Sequence, residues 1–147
     1  PKIYIADAAI RNAVLMDDSI ITDPVGMGKV VETAIYKHVA AFYYQFATSI
    51  GYFRGGKKNK EIDVVVDYPN IKNILIEVKY REGAPIADDD AIIELCEEAS
   101  AAIIVTKTAT DFGVHHTPCG KELLRIPAFA FLYLLGNAEK HGYRGIE

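Results

Sequence analysis

The sequence predicts a mixed α/β fold, an α+β-type mixed sheet organised around one antiparallel hairpin. Residues 60–67 and 73–79 alternate apolar and polar side chains, which is the pattern of half-buried strands. Turn-forming residues at 68–72 separate the two segments, so we expect them to pair as a hairpin. A long helical pattern before the hairpin and an apolar run at 101–106 indicate helices packed on a sheet.

The part of the chain before the hairpin is predicted to contain two further strands and two helices. Residues 2–5 resemble a short strand, and Asp7 can cap a helix that ends near residue 16. Asp23 and Pro24 suit the N-cap and first position of a second helix, which we expect to reach about residue 47. Residues 49–54 then supply a strand just ahead of the hairpin.

The part after the hairpin is predicted to continue with a helix and a buried strand. Three aspartates at 88–90 suit the N-cap and first turn of a helix that ends near residue 100. Residues 101–106 are apolar throughout, as in a strand that is buried on both faces. Residues 25–106 therefore have the order helix, three strands, helix, strand, written αβββαβ.

The last part of the chain is predicted to hold a loop, a strand and an apolar helix. His115, His116 and Cys119 are interpreted as loop residues, because they lack the number and spacing of zinc ligands. A strand is expected at 122–126, and Pro127 is expected to start a helix that Gly136 caps before a frayed tail. That helix has little polar face, so we expect it to be buried or to pack on another domain or on another subunit of a homo-oligomer.

Length and composition favour one intracellular domain. The 147 residues match the usual size of a domain, and the net charge of −4 argues against non-specific coating of nucleic acid. No run is long and apolar enough to cross a membrane, and two scattered cysteines favour a reducing, cytoplasmic setting. Because residue 1 is Pro rather than Met, we expect a piece of a longer polypeptide, with residues 1–24 as an extension and 107–147 following the core.

Carboxylates mark the polar side of the hairpin. Centring the turn on Asn70 gives these opposed pairs: Ile62–Val78, Val64–Ile76 and Val66–Ile74 on one face, and Asp63–Glu77 and Glu61–Lys79 on the other. Two directly opposed acids repel unless a cation lies between them, and Mg²⁺ commonly takes one or two carboxylates. The alternative is a set of plain cross-strand surface pairs.

Two other charged groups are open to two interpretations. Glu32 lies beside the apolar stripe of the long helix, so it is either directed at the sheet or paired with a nearby lysine. A basic patch contains these residues: Arg54, Lys57, Lys58 and Lys60. The patch either contacts a nucleic-acid backbone or protects a sheet edge as a solvated loop. Residues 26–29 lack the remaining residues of a Walker phosphate loop, so this chain by itself should not bind ATP.

The order of elements and acids resembles the PD-(D/E)XK, or restriction-endonuclease-like, superfamily of nucleases. Asp63 matches the motif Asp, Glu77 and Lys79 match the (D/E)-x-K motif, and Glu32 matches the helical Glu of many members. More narrowly, residues 2–7, 11–13, 31–36, 61–63 and 76–79 resemble the domain of unknown function at the C-terminus of bacterial and archaeal AAA-type ATPases. That resemblance implies an upstream ATPase module in the same polypeptide, which would hold the ATP site.

The resemblance also implies a site for phosphodiester hydrolysis of DNA. Asp63, Glu77 and the Val78 carbonyl would hold Mg²⁺ or Mn²⁺, with Glu32 assisting through a second metal or a water. Lys79 would orient and help to deprotonate the attacking water. The fold can also serve binding alone, so the alternative is an inactive domain for DNA binding, regulation or oligomerisation of the ATPase.

Overall fold

A six-stranded mixed sheet forms the centre of the computed structural model. The structure describes residues 2, 4, 7–16, 19–55, 60–70 and 72–142, without the side chains of residues 8, 11 and 21. The strand order is β1-β2-β3-β4-β6-β5, in chain-order numbering. β1, β2 and β3 are antiparallel neighbours, β3, β4 and β6 run parallel, and β5 is antiparallel to β6.

The observed elements confirm the mixed α/β class and the predicted order. The helices are α1 (Ala8–Leu15), α2 (Pro24–Tyr43), α3 (Ala91–Leu95) and α4 (Ala128–Lys140). The strands are β1 (Ser49–Gly55), β2 (Lys60–Asp67), β3 (Ile74–Lys79), β4 (Ala101–Thr106), β5 (Gly113–His116) and β6 (Glu122–Pro127). Asp7 and Asp23 cap α1 and α2 as expected, each accepting backbone N–H bonds with its side chain. No helix in the described part of the chain is long and apolar enough to cross a membrane.

Apolar side chains cover both faces of the sheet. Ile35 and Val39 of α2 and Phe131 of α4 pack on one face, together with Val64 and Ile76. On the other face, α3 packs against a second cluster, which includes these strand residues: Ile62, Leu75, Ala102, Ile104 and Leu123. The alternation along β3 explains the division, because Leu75 faces α3 while its neighbours Ile74 and Ile76 face α2.

A β-bulge in β2 breaks that alternation at the candidate site. Gly51 pairs with Val65 and Phe53 pairs with Ile62, so Tyr52 alone stands opposite both Asp63 and Val64. The additional residue reverses the side-chain direction beyond it. Ile62 therefore packs on the α3 face, and the prediction that it shares a face with Val64 and Val66 is wrong.

The segment predicted as one helix from the aspartates to residue 100 is shorter than expected. α3 ends at Leu95 and continues only as a 3-10 turn at Cys96–Glu98. Asp90 occupies the N-cap position, but its side chain makes no capping bond. Its carboxylate instead accepts from the Ala87 N–H at 3.0 Å and pairs with Lys79.

Two predictions for the last part of the chain are corrected. His115 and His116 lie on β5 rather than in a loop, because β5 extends the sheet beyond β6. α4 runs through Gly136 to Lys140 instead of stopping there. The helix ends where Gly142, with a φ of 68°, donates its N–H to the Glu139 carbonyl. The predicted strand at 2–5 includes residues 3 and 5, which lie outside the described residues.

Candidate functional site

The site begins where β2 and β3 separate. Their pairing confirms the predicted register at Val64–Ile76 and Val66–Ile74, and the regular ladder ends at Val64–Ile76. One residue further, Asp63 Oδ2 accepts the backbone N–H of Val78 at 2.8 Å. A side chain thus takes the place of a backbone acceptor, which fixes the Asp63 carboxylate in the fork between the two strands.

Lys2 supplies a cation to the acids on the α2 side of this fork. Its Nζ lies 2.8 Å from Asp63 Oδ1 and 2.9 Å from Glu32 Oε1, and it also pairs with Glu61. An ammonium group has three N–H donors, so these three carboxylates match its full capacity. Lys2 thus brings the carboxylates of Glu32, Glu61 and Asp63 together.

The surroundings shift the pKa values of this cluster in both directions. Burial raises the pKa of Asp63, and the charge of Glu32 adds to that rise, while the bond from Lys2 opposes it. The Lys2 ammonium, together with Arg54, lowers the pKa of Glu61. Burial alone would lower the pKa of Lys2, but its bonds to the acids outweigh burial and raise it. Lys2 is therefore a permanent positive charge.

Tyr4 joins Lys2 to the long helix. Its hydroxyl donates to Glu32 Oε1 at 2.8 Å, and its ring stacks on Tyr36 with centroids 4.0 Å apart. Glu32 and Tyr36 are one turn apart on α2, so Tyr4 contacts both members of one helical row. Burial and the bond to Glu32 raise the pKa of Tyr4, so its hydroxyl stays a donor.

Glu77 is the least satisfied acid of the site. Its Oε2 is buried and has no hydrogen-bond partner within the described residues. Burial first, and the charge of Asp63 second, raise the pKa of Glu77 to about 8. The residue lines two surface cavities, one of about 420 Å³ beside the start of α2 and one of about 360 Å³ beside Asp89 and Asp90. The positive charges of Lys79 and Lys2 oppose this rise in the pKa of Glu77 but do not cancel it.

Lys79 is held from the α3 side. Its Nζ pairs with the Asp90 carboxylate and donates to the Pro85 carbonyl at 3.3 Å. The predicted partner, Glu61, pairs with Lys2 and Arg54 instead, so that expectation is wrong. The reason is the fork, because the regular pairing that would place Glu61 opposite Lys79 does not extend past Val64.

The two residues of the predicted basic patch that the structure describes are both engaged within the chain. Arg54 makes two bonds to Glu61 Oε2, at 3.1 and 2.8 Å. Lys60 donates to the Asp89 carbonyl at 2.7 Å and pairs with Glu94. Lys57 and Lys58 lie outside the described residues. Of the two described residues, Arg54 is the better placed to meet a phosphate, because 60% of its side chain is exposed against 17% for Lys60.

Sequence reasoning missed Lys2, Tyr4 and Asp90 as members of the site. Lys2 and Tyr4 are two residues apart, and in an extended segment this spacing puts both side chains on one side. This spacing predicts that the two side chains share a face, but it does not predict which residues that face contacts. For Asp90 a specific signal was absent, since acids near a helix start are common.

Asp63 and Glu77 are the candidate carboxylates for a divalent cation. In the part of the chain that the structure describes, no cluster of three or more His, Cys, Asp or Glu is arranged to hold a metal. Mg²⁺ does not require one, because it usually takes one or two carboxylates and keeps waters. The buried, unpartnered Glu77 oxygen beside Asp63 is the donor that such an ion would satisfy. Glu32 differs, because its Oε1 already meets Lys2 and Tyr4.

Comparison with known proteins gives one result. The family model "Domain of unknown function (DUF4143)" matches residues 27–129, which include β1 to β6 and most of α2. Searches of curated proteins and of solved structures gave no significant match. The match agrees with the resemblance to a domain of unknown function, and we conclude that the chain belongs to the DUF4143 family.

Proposed function

We propose that this domain is a Mg²⁺- or Mn²⁺-dependent phosphodiesterase of the PD-(D/E)XK type that hydrolyses DNA. The observation that carries the proposal is the Glu77 carboxylate, which is buried beside Asp63 with one oxygen unpartnered among the described residues. Leaving a polar atom buried and unpaired is costly, so folded proteins rarely keep one without a use. A cation bound by Asp63 and Glu77 would give the unpaired Glu77 oxygen a partner. It would also cancel the repulsion between the two carboxylates.

The residues around this pair have distinct roles in the proposed reaction. A bound divalent ion would lower the pKa of a water and stabilise charge on the phosphoryl oxygens. Asp63, Glu77 and the Val78 carbonyl would hold it, and the Val78 N–H fixes the orientation of Asp63. Lys79 orients the attacking water, and Asp90 keeps its ammonium beside the site.

Calorimetric titration with Mn²⁺ tests the metal site directly. We expect the 147-residue chain to bind Mn²⁺ and Asp63→Asn to bind none, because the amide keeps the acceptor for Val78 but loses the charge. Asp67→Asn is the matched control, since Asp67 lies on the same strand at the far end of the hairpin. Absence of Mn²⁺ uptake by the unaltered chain would refute the proposal.

Cleavage assays then separate a nuclease from a metal-binding module. Single-stranded, duplex and branched DNA are incubated with the protein and Mn²⁺, with Lys79→Met as the inactive comparison. Cleavage that Lys79→Met abolishes supports hydrolysis, whereas Mn²⁺ uptake without any cleavage favours the second candidate. Any upstream AAA-type ATPase module of the same polypeptide, which we also propose, should be included in these assays.

The second candidate is an inactive domain that serves as a DNA-binding, regulatory or oligomerisation module of the ATPase. One face of α4 favours it, because Phe129, Tyr133 and Leu134 are 64, 72 and 53% exposed. Exposed aromatic groups in proximity are typical of surfaces that meet another chain. Light scattering of the chain and of Tyr133→Ser decides whether α4 joins two copies, since only a self-association through α4 would be lost in the variant.

A further inference from the structure

The Lys2 ammonium lies among three carboxylates of the site. Its Nζ meets Asp63 Oδ1 at 2.8 Å and Glu32 Oε1 at 2.9 Å, and it also pairs with Glu61. These three acids come from two elements, α2 and β2, whose side chains would repel each other without a positive charge. A compact ammonium is a point charge that can satisfy several carboxylates at once.

Lys2 is held there by more than its own charge. Tyr4 donates to the same Glu32 oxygen that Lys2 meets, and it stacks on Tyr36 at an angle of 8° between the ring planes. The Lys2 Nζ also lies 5.7 Å from the centroid of the Tyr52 ring, within range of a cation–π contact. Aromatic contacts from α2 and β1 therefore fix the residue between helix and sheet.

The charges of the site leave room for one divalent ion. Four acids are involved, namely Glu32, Glu61, Asp63 and Glu77. Lys2 and Arg54 supply two positive charges to the first three of them, and Lys79 is paired with Asp90. Once Glu77 gives up its proton to bind a metal, the remaining charge of two minus matches a single Mg²⁺ or Mn²⁺ at Asp63 and Glu77.

We propose that Lys2 is an internal counter-ion that fills the second cation position, so that this domain takes one divalent ion and not two. The inference rests on the proposed metal site, and it gives Glu32 a defined role. Glu32 holds Lys2 and Tyr4 in place, and through Lys2 it positions Asp63 in the fork. Lys2 is thus a positioning residue, and its removal should open Glu32 and Asp63 to a second metal ion.

The test is the number of Mn²⁺ ions bound per chain, measured by calorimetry and by the loss of the free Mn²⁺ electron-spin resonance signal. We expect one ion for the 147-residue chain and a doubling to two for Lys2→Met. Lys2→Arg keeps the charge and should stay at one. Lys121→Met is the matched control, because Lys121 precedes β6 at the end of the sheet away from Lys79.

The outcomes separate this inference from the proposed function. One ion in both the chain and Lys2→Met, with circular dichroism showing both folded, overturns the inference alone. Two ions in the unaltered chain also overturn it. If Lys2→Met binds Mn²⁺ and the unaltered chain binds none, Lys2 is supported as the cation that fills the position. The same result refutes a metal-dependent function of the unaltered chain. No uptake by any variant refutes both.

Discussion

The two ends of the β2–β3 hairpin differ in almost every physical respect. At one end Val64, Val66, Ile74 and Ile76 form a regular, buried ladder between opposed apolar side chains. At the other end the strands separate, and Asp63 takes the Val78 N–H with its side chain. One additional residue in β2 marks the change, because the bulge at Asp63–Val64 ends the regular alternation. The hairpin thus combines a stable anchor with a charged fork.

The largest expected effect is at the anchored end. Ile76→Ala removes a side chain that is 1% exposed and packed against α2, so we expect a loss of about 2–5 kcal/mol in the free energy of unfolding. Urea denaturation of both proteins in the presence of a metal chelator measures this loss of stability. A loss below about 1 kcal/mol would show that the ladder is not the anchor.

The second prediction concerns Glu77, at the forked end of the hairpin, in the absence of bound metal. Its pKa is raised to about 8 in the folded protein, whereas in the unfolded chain it is near its ordinary value of 4.5. Between these values the folded state holds a proton that the unfolded state has released, so stability falls as the pH rises. Below pH 4.5 the side chain is protonated in both states and has no effect on the slope.

Glu77→Gln removes this pH dependence and keeps the shape of the side chain. We expect the variant to be more stable than the parent at pH 8 by on the order of 2 kcal/mol, with the difference vanishing near pH 4. Thermal unfolding across that pH range in a chelating buffer checks it. Equal pH profiles for the two proteins would contradict an unpartnered Glu77. Added Mn²⁺ should stabilise the parent and not the variant.

The difference between the two ends also limits what the sequence could predict. The ladder was predictable because a period of two fixes which residues face the core, and Val64 and Ile76 pair as that period requires. The bulge was not, since it depends on how β1 meets β2 across Tyr52. The Lys2–Asp63 contact spans 61 positions along the chain, and no local pattern reports such a contact. The acids were identified from the sequence, but not their partners.

Asp90 provides a smaller test, on the α3 side of the fork. Asp90→Ala removes the partner of Lys79 and the acceptor of the Ala87 N–H, so we expect a loss of roughly 1–2 kcal/mol. Asp88→Ala is the control, because Asp88 is exposed in the same run of aspartates. If both variants lose the same amount in urea denaturation, the Lys79–Asp90 pair contributes nothing specific. A loss confined to Asp90→Ala supports the role of Asp90 in holding Lys79.

The smallest expected effect is at Arg54, where the fork meets solvent. Its guanidinium makes two bonds to one oxygen of Glu61, yet 60% of the side chain is exposed, and exposed ion pairs contribute about 0–1 kcal/mol. Arg54→Ala should therefore change stability little, and less still at high salt. If Arg54 also meets a phosphate, the variant should bind DNA more weakly and with a shallower salt dependence. Salt titrations of DNA binding distinguish these roles, because an Arg54 that only pairs with Glu61 would leave the salt slope unchanged.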